Sequence, residues 1–273
     1  MRRIRLKVAY DGTDYCGFQA QPEVPTIEGK LNLAISALTG EEISVIGASR
    51  TDSGVHALGN VAVFDTASAI PADRFMYALL PFLPEDIRIV SSDEVEADWH
   101  PRKNECVKTY RYTIYCGPVE NPMLRRAAMF YKGCLNTVKM SEAAAYLIGE
   151  HDFTSFANPS SQVLISGGDA VRTIYSLDIS EETDKAFAGS KICMTIKGSG
   201  FLYNMVRIIA GSLINVGRGH WEPEHIRTVL RAKDRRLAGP TAEARGLMLM
   251  DIDYIRLGTE NTNEIHGSSG KTD

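Results

Sequence analysis

The 273-residue sequence predicts an α+β protein. Three observations lead to that class: strand-type alternation at the start, a capped helical stripe soon after, and the order in which such segments recur. Ile4, Leu6 and Val8 alternate with Arg5 and Lys7, which marks a strand over 4–10. A polar loop, Asp11 to Tyr15, follows. Thr26 is placed to cap a helix whose apolar residues Ile27, Leu31, Ala34, Ile35 and Leu38 fall on one face, with Gly40 ending it. Strands are expected at 43–48 and 60–65, with a polar turn between them. A second helix is expected over 71–80, closed by Pro81 and Pro84, and another strand starts at Ile87 and Ile89. Strand, helix, strand, strand, helix, strand is the split βαβ order of ferredoxin-like domains.

A second α+β unit starts near residue 105. Tyr110, Tyr112 and Ile114 alternate with Arg111 and Thr113 as a strand, and Ser141 is expected to cap a helix running to Ile148. Strands follow at 171–179 and 191–197, helices at 202–216 and 223–232, and a last strand at 247–254. The expected division is an N-terminal domain over 1–104, a C-terminal domain over 105–257 and a polar, disordered tail over 258–273.

Composition narrows the class of protein. With 44% hydrophobic and 23% charged residues, the chain is that of a folded globular protein, and no apolar run is long enough to cross a bilayer. The basic N-terminus never becomes a continuous apolar core, so it reads as a strand and not as a signal peptide. Five cysteines are scattered without a Cys-x-x-Cys pair, which suggests neither a zinc site nor a disulfide framework and points to the cytoplasm. The net charge of −4 argues mildly against a nucleic-acid partner, although binding depends on local patches.

The densest chemistry lies in residues 47–57, where Arg50, Asp52 and His56 sit among small residues and glycines. An isolated Arg-x-Asp is ordinarily a surface ion pair. If the chain is extended there, Arg50 and Asp52 point to one side, and the guanidinium holds the carboxylate ionised as a nucleophile or base. Lys108 to Tyr112 places two aromatics on one strand face. They are either core residues or a stacking platform flanked by cations for phosphate. Arg207 is a lone charge in an apolar helix and needs an anionic partner, structural or catalytic. Lys233 to Arg236 is a charge run, either a solvated helix end or a basic rim for RNA. Together these give a carboxylate held by arginines, an aromatic platform and basic rims, which is what a flipped base on a polyanion requires.

These motifs, in this order, resemble the TruA-type tRNA pseudouridine synthases over residues 4–256. Tyr10-Asp-Gly-Thr with Gly17-Phe-Gln resembles the family's opening pattern, and residues 47–57 resemble its Gly-x-Gly-Arg-Thr-Asp-x-Gly-Val-His-Ala turn. Lys108-Thr-Tyr-Arg-Tyr, His151-Asp-Phe-Thr-Ser-Phe, Phe201-Leu-Tyr-Asn-Met-Val-Arg and Ala238-Gly-Pro-Thr-Ala continue the series. The resemblance implies isomerisation of uridine to pseudouridine at positions 38, 39 or 40 of the tRNA anticodon arm, without metal or organic cofactor. It implies Asp52 as the catalytic aspartate, Tyr110 as the tyrosine stacked on the target base, Arg50 as the arginine handling the flipped nucleotide, and Arg207 as the partner of the carboxylate. A homodimer whose tRNA contacts both subunits is implied as well, as are two ferredoxin-like halves with sheets meeting at a central cleft. Ser49 stands where the family has glycine and Phe18 where it has tryptophan, so a slightly altered backbone is expected at Ser49. His56 is expected to be structural.

Two rival readings belong to other classes. One is a non-catalytic tRNA-binding or chaperone protein of the same fold, against which the Arg50, Asp52, Tyr110 and Arg207 set speaks, since binding alone does not need Asp52. The other is a metal-dependent hydrolase using Asp11, Asp14, Asp52 and His56.

Overall fold

A computed structural model describes residues 1–255. The expected tail over 258–273 lies outside the described residues, as do the last residues of the C-terminal domain. The elements run β1 (Arg2–Tyr10), α1 (Ile27–Thr39), β2 (Ile46–Gly47), β3 (His56–Thr66), α2 (Phe75–Ala78), β4 (Ile87–Val95), β5 (Cys106–Gly117), β6 (Met129–Lys132), α3 (Thr137–Ala145), β7 (Gly149–Asp152), α4 (Gln162–Ile165), β8 (Val171–Asp184), β9 (Gly189–Gly198), α5 (Met205–Gly217), α6 (His225–Ala232) and β10 (Leu247–Tyr254). The fold is α+β, with a mixed and mostly antiparallel sheet.

Ten strands form one continuous sheet with the path β4-β1-β3-β10-β5-β9-β8-β7, β2 pairing with β3 and β6 with β5. The N-terminal strands therefore lie in the order β4-β1-β3-β2. The C-terminal strands repeat it as β10-β5-β9-β8. Instead of two sheets meeting at a cleft, the described strands join through a short parallel pairing of β3 and β10, His56 against Met248 and Ala57 against Leu249. That junction carries the start of β3, next to Asp52, to within one strand of β5 and Tyr110.

Local physics accounts for most elements. In β1, Ile4, Leu6, Val8 and Tyr10 are buried. The other face carries Arg3, Arg5 and Lys7, paired at 2.7, 2.6 and 2.7 Å with Asp65, Asp93 and Asp251. Thr26 accepts from Gly29 N–H at the start of α1, and Gly40 closes it. Helix α5 is apolar nearly all round and every residue except Arg207 is buried, as expected of a helix enclosed on all sides.

Several boundaries differ from the sequence expectation. The strand expected at 43–48 pairs only at Ile46 and Gly47, because the preceding segment bonds to helix α1 instead: Asn32 and Ser36 side chains accept from Val45 and Ile43 N–H. The helix expected over 71–80 is a 3-10 turn followed by one α turn. Helix α3 begins after Asn136, whose side chain accepts from Lys139 N–H; Ser141 lies inside it and donates back to Thr137 O at 2.9 Å. Strands β6 and β7 and helix α4 are too short to leave a periodic signal.

Candidate active site

The catalytic-type turn is pinned by groups from three sequence motifs. Phe18 N–H donates to Thr51 O at 3.0 Å, and Gly54 N–H donates to Tyr15 O at 3.3 Å. Gly17 has φ 92° and a Cβ there would stand 2.9 Å from Thr51 O, so the 10–18 loop approaches the turn as closely as it does only because residue 17 is glycine. Beneath the turn, Tyr10 hydroxyl and Thr51 Oγ1 are 2.7 Å apart, and Asn60 Nδ2 donates to both Tyr10 hydroxyl and Ser49 O. Asn60 Oδ1 accepts from Ser49 N–H at 3.2 Å. Asn60 is fully buried, and its bonds hold the chain entering the turn as a backbone strand would.

Ser49 fits this arrangement without a left-handed backbone, so the departure from glycine leaves no strain at that residue. Its hydroxyl instead receives a long contact, 3.5 Å, from the Tyr110 hydroxyl. Phe18 is buried with its ring over Gly47.

Asp52 and Arg207 come together across the junction of the two strand sets. Arg207 Nη1 lies 3.3 Å from Asp52 Oδ2, both side chains being largely buried. Three acceptors aim the guanidinium: Nη1 also donates to Asn204 Oδ1 at 3.1 Å, and Nε donates to Ala242 O at 2.7 Å. Asn204 precedes helix α5 in a left-handed conformation, which asparagine tolerates better than most residues. The Asp52 carboxyl is raised above the usual carboxylate range by its burial, and Arg207 offsets part of that rise.

Arg50 is a correction. It does not pair with Asp52. Both side chains line the same cavity, yet no ion pair joins them within 4.0 Å; Asp52 is paired with Arg207 instead. Arg50 is exposed and stands near Arg102, whose basicity is lowered by burial first and by the Arg50 charge second. The buried partner of the carboxylate comes from α5, 155 residues away in sequence.

Tyr110 is buried on β5, with its ring edge-on to Phe201 at 5.2 Å between centroids. Burial pushes its phenol up to about 12, so the ring is neutral near pH 7 and is not a ready base for the C5 proton. Tyr112, two residues on, is core: its hydroxyl donates to Glu243 O at 2.9 Å and it lines no cavity with Asp52. Asp52, Tyr110, Arg50, Arg102, Lys108 and Arg172 face a single cavity of about 1010 Å³. Arg207 stands behind Asp52 and fixes it from below.

His56 is buried at the start of β3, its Nδ1 3.1 Å from both Gly12 N and Asp11 Oδ1. It braces the 10–18 loop against the turn. The residues of the hydrolase reading are not gathered into a ligand set: Asp14 faces Arg126 at 3.3 Å, Asp52 faces Arg207, and Asp11 lies between His56 and Arg126. The charge run Lys233 to Arg236 is spent internally, with Lys233 on Asp152 at 2.9 Å and Arg236 on Asp234 at 2.6 Å.

Asn60, Thr51 and Asn204 are site residues that sequence reading passes over. The available signal was a polar residue directly preceding an apolar strand run (Asn60) and one directly preceding an apolar helix (Asn204).

The family described as tRNA pseudouridine synthase matches residues 7–102 and 143–255. The tRNA pseudouridine synthase A of Brevibacillus brevis is 44% identical over 254 residues, covering 93% of this chain and 100% of that protein. That of Ruminiclostridium cellulolyticum is 43% identical, again over 93% and 100%. That of Bacillus subtilis is 42% identical over 92% of this chain and 99% of that protein. The matched segments contain the turn at 47–57, the Asn204–Arg207 segment and the Pro240–Ala242 segment, and on these grounds the chain belongs to the tRNA pseudouridine synthase family.

Proposed function

We propose that this protein isomerises uridine to pseudouridine in tRNA, at positions 38–40 of the anticodon stem-loop, with Asp52 as the essential residue. The observation that carries the reading is Asp52, held by Arg207 at 3.3 Å, lining a cavity large enough for a nucleotide. The relatives named above support tRNA as substrate; the resemblance supports the anticodon positions. A uracil must leave C1′, turn and rejoin through C5 without loss of atoms. Asp52 meets the charge or carbon centre that this exposes, and Arg207 keeps a buried carboxylate available in its ionised form. Tyr110 offers an apolar face against which an unstacked base is retained. Arg50 acts at the rim, on the displaced nucleotide's backbone, and not on the carboxylate.

The two strand sets, each in the order 4-1-3-2 of its own members, support a reading as two ferredoxin-like halves divided near residue 104. A cytoplasmic homodimer is proposed on the family resemblance; sedimentation of the purified chain tests the dimer.

The activity is tested with unmodified tRNA carrying 5-³H-uridine. Wild type releases tritium; Asp52→Asn releases none while binding tRNA within a fewfold of wild type. An active Asn variant overturns the assignment of Asp52, and silence from wild type overturns the activity. Tyr110→Phe retains tRNA affinity, and its complete loss contradicts a role confined to the pocket.

A further inference from the structure

Three cations crowd one wall of the cavity with no carboxylate partner among the described residues. Burial lowers the basicity of both Arg102 and Lys108; Arg50 adds to the fall at Arg102, where Glu28 opposes it, and Arg102 adds to the fall at Lys108. Among the described residues no ion pair within 4.0 Å involves any of the three, although Arg2, Arg3, Arg5 and Lys7 on β1 are all paired. Like charges held together without a counter-ion are costly unless an anion arrives to occupy the space.

The three are not equivalent. Arg50 and Arg102 are exposed and stand at the rim. Lys108 is half-buried, and burial holds its ammonium below the usual lysine range. It projects from β5 two residues before Tyr110, hence on the same strand face. Both side chains reach the segment entering the turn: Lys108 Nζ lies 3.4 Å from Ala48 O, and Tyr110 hydroxyl 3.5 Å from Ser49 Oγ. That single long bond leaves two of the three ammonium donors unspent. Lys108 and Tyr110 both line the cavity, and Lys108 is less exposed than Arg50 and Arg102.

We infer that Lys108 is a catalytic residue that binds the detached uracil and stabilises its negative charge; this rests on the isomerase reading above. When the N1–C1′ bond breaks, its electron pair leaves with the base, so uracil carries the negative charge and C1′ the positive charge that Asp52 meets. The charge spreads to the ring oxygens, which an ammonium donor reaches. On rejoining, the ring supplies an electron pair from C5 to C1′. C5 gives up one proton and N1 takes one up, so the product is an isomer and no co-reactant is consumed. An ammonium that is poorly solvated before the reaction stabilises such an anion more than one in bulk water does.

The test uses the full chain with unmodified 5-³H-uridine tRNA under single-turnover, saturating conditions, beside filter binding over a salt series. Lys108→Met is expected to slow tritium release by about 10²–10³-fold, the effect of removing one such donor, with affinity and salt slope unchanged. Lys108→Arg recovers most of the rate because it returns the charge. Lys108→Gln, which keeps a polar side chain, serves if the Met variant does not fold, and is expected to be as slow. A normal saturated rate in Lys108→Met or Lys108→Gln, with weaker binding and a shallower salt slope, makes Lys108 a phosphate anchor and overturns the inference. So does failure of Lys108→Arg to recover. Absence of tritium release by wild type is a different failure, that of the isomerase reading itself.

Discussion

A carboxylate that is both buried and paired sits between two opposing effects, and at Asp52 burial is the larger. Its proton is therefore lost at higher pH than from an ordinary carboxylate, with Arg207 restraining the rise. The sign of the pH dependence follows. In the proposed role of Asp52 the ionised form reacts, so the rate is expected to fall as pH drops through this raised value, earlier than for an exposed aspartate. Arg207→Gln removes the restraint and leaves the burial. Its acid limb is expected to lie at higher pH than that of wild type, with a lower rate at pH 7 that partly recovers on raising the pH. Single-turnover tritium release from pH 5 to 9 measures this, and an acid limb at the wild-type position in Arg207→Gln refutes it. Asp52 and Arg207 were legible as separate residues: one from its dense polar turn, the other from the cost of a lone charge in an apolar helix. Their partnership was not legible from spacing, because the guanidinium nearer in sequence, Arg50, lies two residues away and makes no ion pair with Asp52. Nothing in a local pattern reveals that Phe18, Tyr10 and Asn60 set the direction of residues 50–52.

Helix α5 shows how an element delivers one side chain with precision. Residue 211 lies four positions after Arg207, on the same helix face. A Cβ there would stand 1.9 Å from Pro240 O. Glycine at that site lets the 238–242 segment lie against the helix. Gly239 N–H then donates to Ser212 Oγ at 2.9 Å, Ala242 N–H donates to Arg207 O at 3.1 Å, and Ala242 O accepts from Arg207 Nε at 2.7 Å. The Ala-Gly-Pro-Thr-Ala motif is thereby the brace of a guanidinium. Gly211→Ala forces the segment outward and is expected to cost about 1–3 kcal/mol of stability, the usual range for overpacking. The same displacement loosens Arg207, so kcat falls more than tRNA affinity. Thermal melts and single-turnover rates check both. Unchanged stability contradicts the packing argument, and a kcat loss no larger than the loss of affinity contradicts the brace. The helix itself was legible from its apolar run, and the last strand was expected at 247–254, where β10 lies. The strand over 43–48 was over-read because Asn32 and Ser36, on helix α1, satisfy backbone groups that alternation assigned to a sheet.

For the whole molecule, net charge is a poor guide to where charge is free. The chain carries −4 overall, yet much of its basic surface is already neutralised. Arg2, Arg3, Arg5 and Lys7 on β1 each hold a carboxylate, and Lys233 and Arg236 hold Asp152 and Asp234. Arg50, Arg102 and Arg172 line the cavity, and among the described residues the Arg172 guanidinium donates only to the carbonyls of Asp169 and Val171. Unpaired cations at the cavity give a polyanion a local favourable field there, and local charge of this kind reconciles an acidic protein with an RNA substrate. Each phosphate neutralised contributes about 0.7–0.9 to the slope of log K against log salt. Removing Arg50 and Arg172 together is accordingly expected to make the slope for tRNA binding shallower by roughly 1.4–1.8. Removing Lys233 and Arg236 together is expected to leave the slope unchanged, since both are committed to internal carboxylates. Filter binding between 50 and 300 mM salt separates the two pairs. Equal slopes for the Arg50/Arg172 variant and wild type place the phosphate contacts elsewhere on the surface, and a shallower slope for the Lys233/Arg236 variant restores the basic rim that the charge run first suggested.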